Sequence, residues 1–295
     1  MYIDRYKYFR DTQLWPLSDN LNYEQWLANF CDDELEIAQR ILDFFIYIPD
    51  SIINQMLSTV IGKCGYYFKR QRGAWTNNDY QNNCWYSFVP GEEQKPTDSG
   101  YVFNRKLRDK LEIPEKRIIS FSDLLLILSQ STNQNVILVD DFVGSGHQTY
   151  VAWKLNKQDS NQTLEIISRT NNHKIVYAPL IVNHMGYNTI SSDCKGLGLT
   201  FIHLLGTQYS LFDQNCLCWE GDINIYHKAV DLMLNKSKML GIPFTNGRCV
   251  TDVRGYKEQG LALAFEHGMP DACPPIFYWE TENWKPLIKK VYSRY

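Results

Sequence analysis

Apolar positions in the first third of the chain recur at helical spacing. Leu35, Ala38, Ile41, Leu42 and Phe45 share one face, with Asp32 as N-cap and Glu34 and Glu36 in a first turn that favours negative charge. Pro49-Asp50 interrupts the pattern, and Asp50 caps a second amphipathic run through Ile53, Leu57, Val60 and Ile61. With a helical turn or two over 24–30, residues 23–63 predict a helical hairpin, preceded by an irregular aromatic arm over 1–22. From residue 84 the period changes. Cys84–Val89 and Lys116–Phe121 read as short strands, Val136–Val139 as a fully buried strand and Lys174–Val182 as a strong strand whose Pro179 suits an edge or bulge. Leu199–Leu205 and Gly260–Phe265 read as further strands.

Helical patterns separate these strands. Val102–Leu111 carries Arg105, Lys106, Arg108 and Lys110, Ser122 caps a helix over Leu124–Ser129, and Thr149–Leu155 and Asp222–Leu240 follow. Residues 70–83, 90–100 and 157–172 are polar and read as loops, Gly268–Trp284 as an ordered Pro- and Trp-bearing loop, and Lys285–Tyr292 as a closing helical segment. Strands alternating with helices predict an α/β fold with a parallel sheet flanked by helices, an N-terminal helical extension over 1–66 and an α/β domain with an elaborated C-terminal region over 67–295. No repeat or low-complexity linker interrupts this arrangement.

Composition narrows the function classes. A chain of 295 residues can bury a sizeable core. A net charge of −3 with no long Lys/Arg block disfavours a nucleic-acid effector, and the 19 Tyr and 8 Trp fit an aromatic core better than a base-stacking groove. The eight cysteines are scattered without a CxxC pair, and His184, His203, His227 and His267 have no metal-ligand spacing. Without an apolar stretch of membrane length or a secretory h-region, the expectation is a cytoplasmic protein with reduced thiols and no membrane partner.

The chemistry concentrates between Val136 and Tyr150. The buried strand is followed by adjacent carboxylates Asp140 and Asp141, then by the Gly144-Ser145-Gly146 turn and a helix start at His147-Gln148-Thr149. Ionised carboxylates accept hydrogen bonds and suit the paired hydroxyls of a ribose. Backbone amides at a glycine turn opening a helix form an anion nest. Gly144 to Gln148 can therefore hold a 5′-phosphate, with Ser145, Gln148 and Thr149 adding donors and His147 standing beside it.

V-I-L-V-D-D-F-V-G-S-G-H-Q resembles the 5-phosphoribosyl-1-diphosphate signature of type I phosphoribosyltransferases. Phe142 is bulkier than the usual aliphatic, and Gly144 and Gln148 stand where Thr or Ser is common. More broadly the chain is similar to PRTase-CE, a phosphoribosyltransferase-like group associated with bacterial conflict systems. The similar pieces are Trp26 to Phe45, D-S-G-Y-V-F-N-R (Asp98 to Arg105), D-D-F-V-G-S-G-H-Q, and Gly260 to Trp279. The resemblance implies a phosphoribosyltransferase-like, Rossmann-like fold and a role in antiphage defence, with a defence-system protein as a partner.

The same resemblance implies a diphosphate loop after an earlier strand. Thr97 to Gly100 is its match, with Ser99 and Gly100 as donors and Arg105 and Arg108 as neutralising cations. It implies Asp140 for hydroxyl binding, Asp141 as general acid/base, and Mg²⁺ bridging diphosphate and ribose oxygens with no ligand set of its own in the protein. Two functions fit: a Mg²⁺-dependent transferase or hydrolase acting at ribose C1, and a catalytically inactive module that senses phosphoribosyl diphosphate or a nucleotide.

Overall fold

The computed structural model describes residues 5–15, 20–72, 75–91, 99–155 and 163–289. The first elements are α1 (Arg5–Asp11), α2 (Tyr23–Leu27), α3 (Leu35–Phe44), β1 (Ile46–Ile48) and α4 (Asp50–Arg72). The amphipathic runs form helices as their spacing dictates, but Asp50 opens α4 rather than capping it, and α4 runs on to Arg72, past the expected end at 63 and into the expected loop over 70–83. Helix α3 starts at Leu35 with Glu34 at its N-cap position rather than Asp32, and a short strand stands where a simple turn between the helices is expected. Next come α5 (Asn77–Asn82), β2 (Cys84–Phe88), α6 (Ser99–Leu111), α7 (Phe121–Gln130) and β3 (Asn135–Val143). The chain continues with α8 (His147–Lys154), α9 (Leu164–Thr170), β4 (Lys174–Asn183), α10 (His184–Asp193), β5 (Gly198–Leu199), β6 (His203–Leu205), α11 (Ile223–Met239) and β7 (Leu263–Phe265).

The chain folds as two compact units, one made of 1–53 with 206–295 and the other of 54–205. The expected division at 66/67 does not follow these contacts: the C-terminal region groups with the first helices. The first unit holds the two-stranded parallel sheet β1–β7, in which Ile46 stands opposite Leu263 and Ile48 opposite Phe265. Its core is aromatic. Trp26 is fully buried, packs edge-on against Phe30 and donates its indole N–H to the Ile276 carbonyl at 3.2 Å. Residues 285–289 are not helical, because Ile288 bridges Leu21; 290–292 lie outside the described residues.

The second unit holds a five-stranded parallel sheet in the order β2-β3-β4-β5, with β6 also pairing β4. Val136 to Val139 are fully buried, as a central strand covered on both faces requires. Strand β4 is central too, so Pro179 is not at an edge. It stands opposite Asp140, in the gap where the other neighbour of β4 changes from β5 at Val176–Tyr177 to β6 at Ile181–Asn183. The missing N–H therefore falls where a ladder partner is exchanged.

Local capping overrides polarity in several other places. Residues 77–82 are helical because Thr76 and Asp79 form a reciprocal capping box. Lys116–Phe121 is no strand: Pro114 leads into a 3₁₀ turn, a single bridge joins Ile118 to Tyr86, and Ser120 rather than Ser122 caps α7 by accepting the Asp123 N–H at 3.0 Å. Within the expected polar excursion over 157–172, Leu164 and Ile167 bury one face of a short helix, while 156–162 lie outside the described residues. The expected strand over 199–205 is two short strands. Among the described residues, no helix is long and apolar enough to cross a membrane.

Candidate functional site at the carboxyl edge of the sheet

Strand β3 runs four residues beyond its apolar core, so both carboxylates belong to the strand rather than following it. Asp140 is 9% exposed. Its Oδ2 accepts the Tyr177 hydroxyl at 2.7 Å, and its Oδ1 accepts the Asp141 N–H at 2.9 Å. Burial, then the neighbouring Asp141 charge, pushes the Asp140 carboxyl well above the ordinary carboxylate range, while the Tyr177 hydrogen bond works the other way. Asp141 is half-buried and accepts the Phe142 N–H at 2.9 Å. The buried acid is thus the one inclined to hold a proton, and the more accessible one is able to meet a ligand. Tyr177 is fully buried, and burial with the Asp140 charge raises its hydroxyl well above the usual phenol range.

Gly144, Ser145 and Gly146 turn the chain from β3 into α8. Gly146 takes φ +75° at the N-cap position, a left-handed conformation that suits glycine. Among the described residues, the amides of all three make no hydrogen bond, and the His147 N–H reaches only Ser145 Oγ, at 3.4 Å. Three successive amides without partners at the start of a helix form a concentrated anion-facing dipole. His147 and Gln148 are exposed, and the His147 ring stacks on Tyr150. Thr149 is buried and interacts with the Tyr177 hydroxyl instead of facing outward.

The turn is held from behind by α10, which sequence reading did not bring to this site. Asn183, at the end of β4, caps α10 by accepting the Met185 N–H at 3.0 Å. A methyl group at Gly186 would stand 2.6 Å from the Gly144 carbonyl oxygen and 2.6 Å from Val143 Cγ1. A methyl at Gly146 would meet the Gly186 backbone at 3.1 Å. Two glycines therefore allow the turn and α10 to touch backbone to backbone. The His-Met-Gly sequence after the apolar β4 run is the signal for this contact, but it has meaning only once β4 lies beside β3.

The second expected loop leaves the neighbouring strand. Phe88, the last residue of β2, stands opposite Val139, one residue before Asp140. Ser99 opens α6, and Gly100 packs directly on the Phe88 ring, leaving no room there for a side chain. Residues 92–98, with Thr97 and Asp98, lie outside the described residues. Helix α6 buries Phe103, Lys106 and Leu107, and Lys106 donates to Asn54 Oδ1 at 2.9 Å. Arg105 is exposed and, among the described residues, makes no ion pair. Arg108 is engaged, with Asp109 at 2.8 Å and Glu115 at 3.5 Å. The β2–β3 pairing thus brings two helix starts to one edge. Among the described residues, no cluster of three or more His, Cys, Asp or Glu side chains could hold a metal ion.

The family model PRTase-CE matches residues 23–290. No curated protein and no solved structure matches the chain.

Proposed function

Because the chain belongs to the PRTase-CE family and is a phosphoribosyltransferase-like protein, we propose that its carboxyl edge binds a ribose 5-phosphate bearing a diphosphate at C1. The observation that carries this reading is the run of three amides, Gly144 to Gly146, that make no hydrogen bond among the described residues and follow, after two intervening residues, an Asp-Asp pair on a central parallel strand. The amides take the 5′-phosphate, and the half-buried Asp141 takes the ribose hydroxyls. The start of α6 and the exposed Arg105 meet the diphosphate.

At C1 the bond to the diphosphate breaks and a nucleophile adds, through an oxocarbenium-like transition state. The chain's part is orientation and charge: fixed amides hold the phosphate end, and Asp141 accepts or returns a proton at its carboxylate oxygen. Mg²⁺ fits an edge whose donors are carboxylate oxygens, a hard-cation set. Half-buried Asp141 is the carboxylate that would meet it, Asp140 being buried and engaged by Tyr177, and when bound it would neutralise diphosphate charge.

The test is incubation with labelled phosphoribosyl diphosphate and a panel of nucleobases. Release of diphosphate that disappears in Asp141→Asn supports an enzyme. One observation favours the second reading, a sensor: Asp140 is buried and already committed to Tyr177. Tight binding with no release, whatever the acceptor, supports that reading. Absence of any binding rejects both. Bacterial antiphage defence, with a protein partner, is the setting we propose, read out by phage plating on cells carrying wild-type or Asp141→Asn protein.

A further inference from the structure

The amino edge of the five-stranded sheet carries a second feature, remote along the strands from Asp140. There β2 and β3 begin side by side, with Cys84 opposite Asn135. Asn82, Asn83, Asn133, Gln134, Asn135 and Arg117 line a cleft of about 390 Å³, a volume in the range of small-molecule sites. Some of these side chains have local duties: Asn83 Nδ2 donates to Asp79 Oδ1 at 2.7 Å, and Gln134 Oε1 accepts the Trp85 indole N–H at 3.0 Å.

Two buried atoms of lining residues have no such duty. Asn135 is 6% exposed and donates Nδ2 to the Asn83 carbonyl at 3.1 Å, yet its Oδ1 has no partner among the described residues. Trp75 also lines the cleft, and its indole N–H is likewise buried without a partner among them. Buried polar atoms left unpaired are costly and rare, so an orphaned acceptor and an orphaned donor in two residues that line one cleft mark it as a place for a ligand carrying both.

The chemistry of that ligand can be narrowed. An anion without an O–H or N–H group offers only acceptors and cannot satisfy Asn135 Oδ1. A sugar ring wants a free aromatic face, but Trp75 packs at 4.7 Å against Phe68 and at 6.1 Å against Tyr80. Arg117 lies with its guanidinium carbon 4.7 Å from the Trp85 ring centre, a geometry in which the opposite face of a planar cation can stack on a second ring. Asp79, the acid on the wall, is occupied by the Thr76 N–H at 2.8 Å and the Thr76 hydroxyl at 2.7 Å, and these bonds keep its carboxyl below the usual range. Carboxamides reading a donor–acceptor edge, beside a guanidinium on the ring face, are the groups that recognise a nucleobase.

We propose that this amino-edge cleft binds the base of a small nucleoside or nucleotide, at a site separate from the phosphate-binding edge. The experiment is calorimetric titration of the full chain with adenosine, guanosine, cytidine and uridine in turn. Saturable binding of at least one is expected, weakened about tenfold or more by Arg117→Gln and by Asn135→Ala, and unchanged in Asp141→Asn. Should Asn135→Ala fail to fold, Arg117→Gln and Asn82→Ala decide. The proposal is overturned if none of the four binds at millimolar concentration, or if binding survives both Arg117→Gln and Asn82→Ala. Titration with ribose 5-phosphate reports on the carboxyl edge alone, so the two sites stand or fall separately.

Discussion

Tyr177 on β4 donates its hydroxyl to Asp140 on β3 at 2.7 Å, and both side chains are buried. The pair links the two central strands just below the carboxyl edge and fixes which acid faces inward. Tyr177→Phe removes the donor and leaves a buried acceptor unsatisfied, a loss of about 1–3 kcal/mol in folding stability. Urea unfolding of the two proteins checks this. Unchanged stability would mean that the bond is replaced or contributes nothing.

Asp140 also sets a pH signature. Its folded-state pKa is raised above that of an ordinary carboxylate, at about 3.9 in the unfolded chain. Between these two values the folded state binds the extra proton, so stability falls as pH rises through the window and is greatest below it. Asp140→Asn removes that slope. Its unfolding midpoint, compared with wild type, is expected to be more favourable at neutral pH than near pH 4. An equal difference at both pH values contradicts the assignment.

Gly186→Ala forces a methyl group against the Gly144 carbonyl and Val143. Because both obstacles are packed in the fold, the turn must shift, with a stability cost of about 1–3 kcal/mol. Ribose 5-phosphate binding is expected to fall more steeply than stability does, since displaced amides no longer converge. A variant that folds less well yet binds normally would separate the turn from the ligand.

The two arginines of α6 are distinguishable. Arg108 is held by Asp109 and Glu115, whereas Arg105 is exposed with no ion pair among the described residues. Arg105→Ala is expected to weaken phosphoribosyl diphosphate binding about tenfold, while Arg108→Ala changes it less than about twofold. Titration of both variants decides; the reverse order assigns the diphosphate to the other side of the helix.

Capping gives a purely structural check. Ser120 accepts the Asp123 N–H at 3.0 Å, so Ser120→Ala is expected to cost about 1 kcal/mol. Ser122, within the first turn, has no such acceptor role, and Ser122→Ala should lie within about 0.5 kcal/mol of wild type. Thermal unfolding of the pair tests the helix start.

Much of the α/β layout was legible because burial on both faces writes a continuous apolar run, as in Val136 to Val139 and Ile175 to Val182. Amphipathic helices such as α3 and α11 write a 3.6-residue period just as plainly. Short elements were not legible. Helix α5 rests on the Thr76–Asp79 box within a polar stretch, and β1 is a strand only because β7, more than two hundred residues later, lies beside it.

The sequence by itself determined that two carboxylates and a Gly-Ser-Gly turn follow a buried strand, since adjacency along the chain and glycine's freedom at positive φ are local properties. Tertiary structure alone decided that Asp140 turns inward to Tyr177 while Asp141 stays accessible, and that Gly186 braces the turn from behind. It also decided that five carboxamides gather at the opposite edge of the sheet. These relations depend on strand register, which joins residues distant in sequence and is set by the packing of the whole sheet rather than by any local pattern.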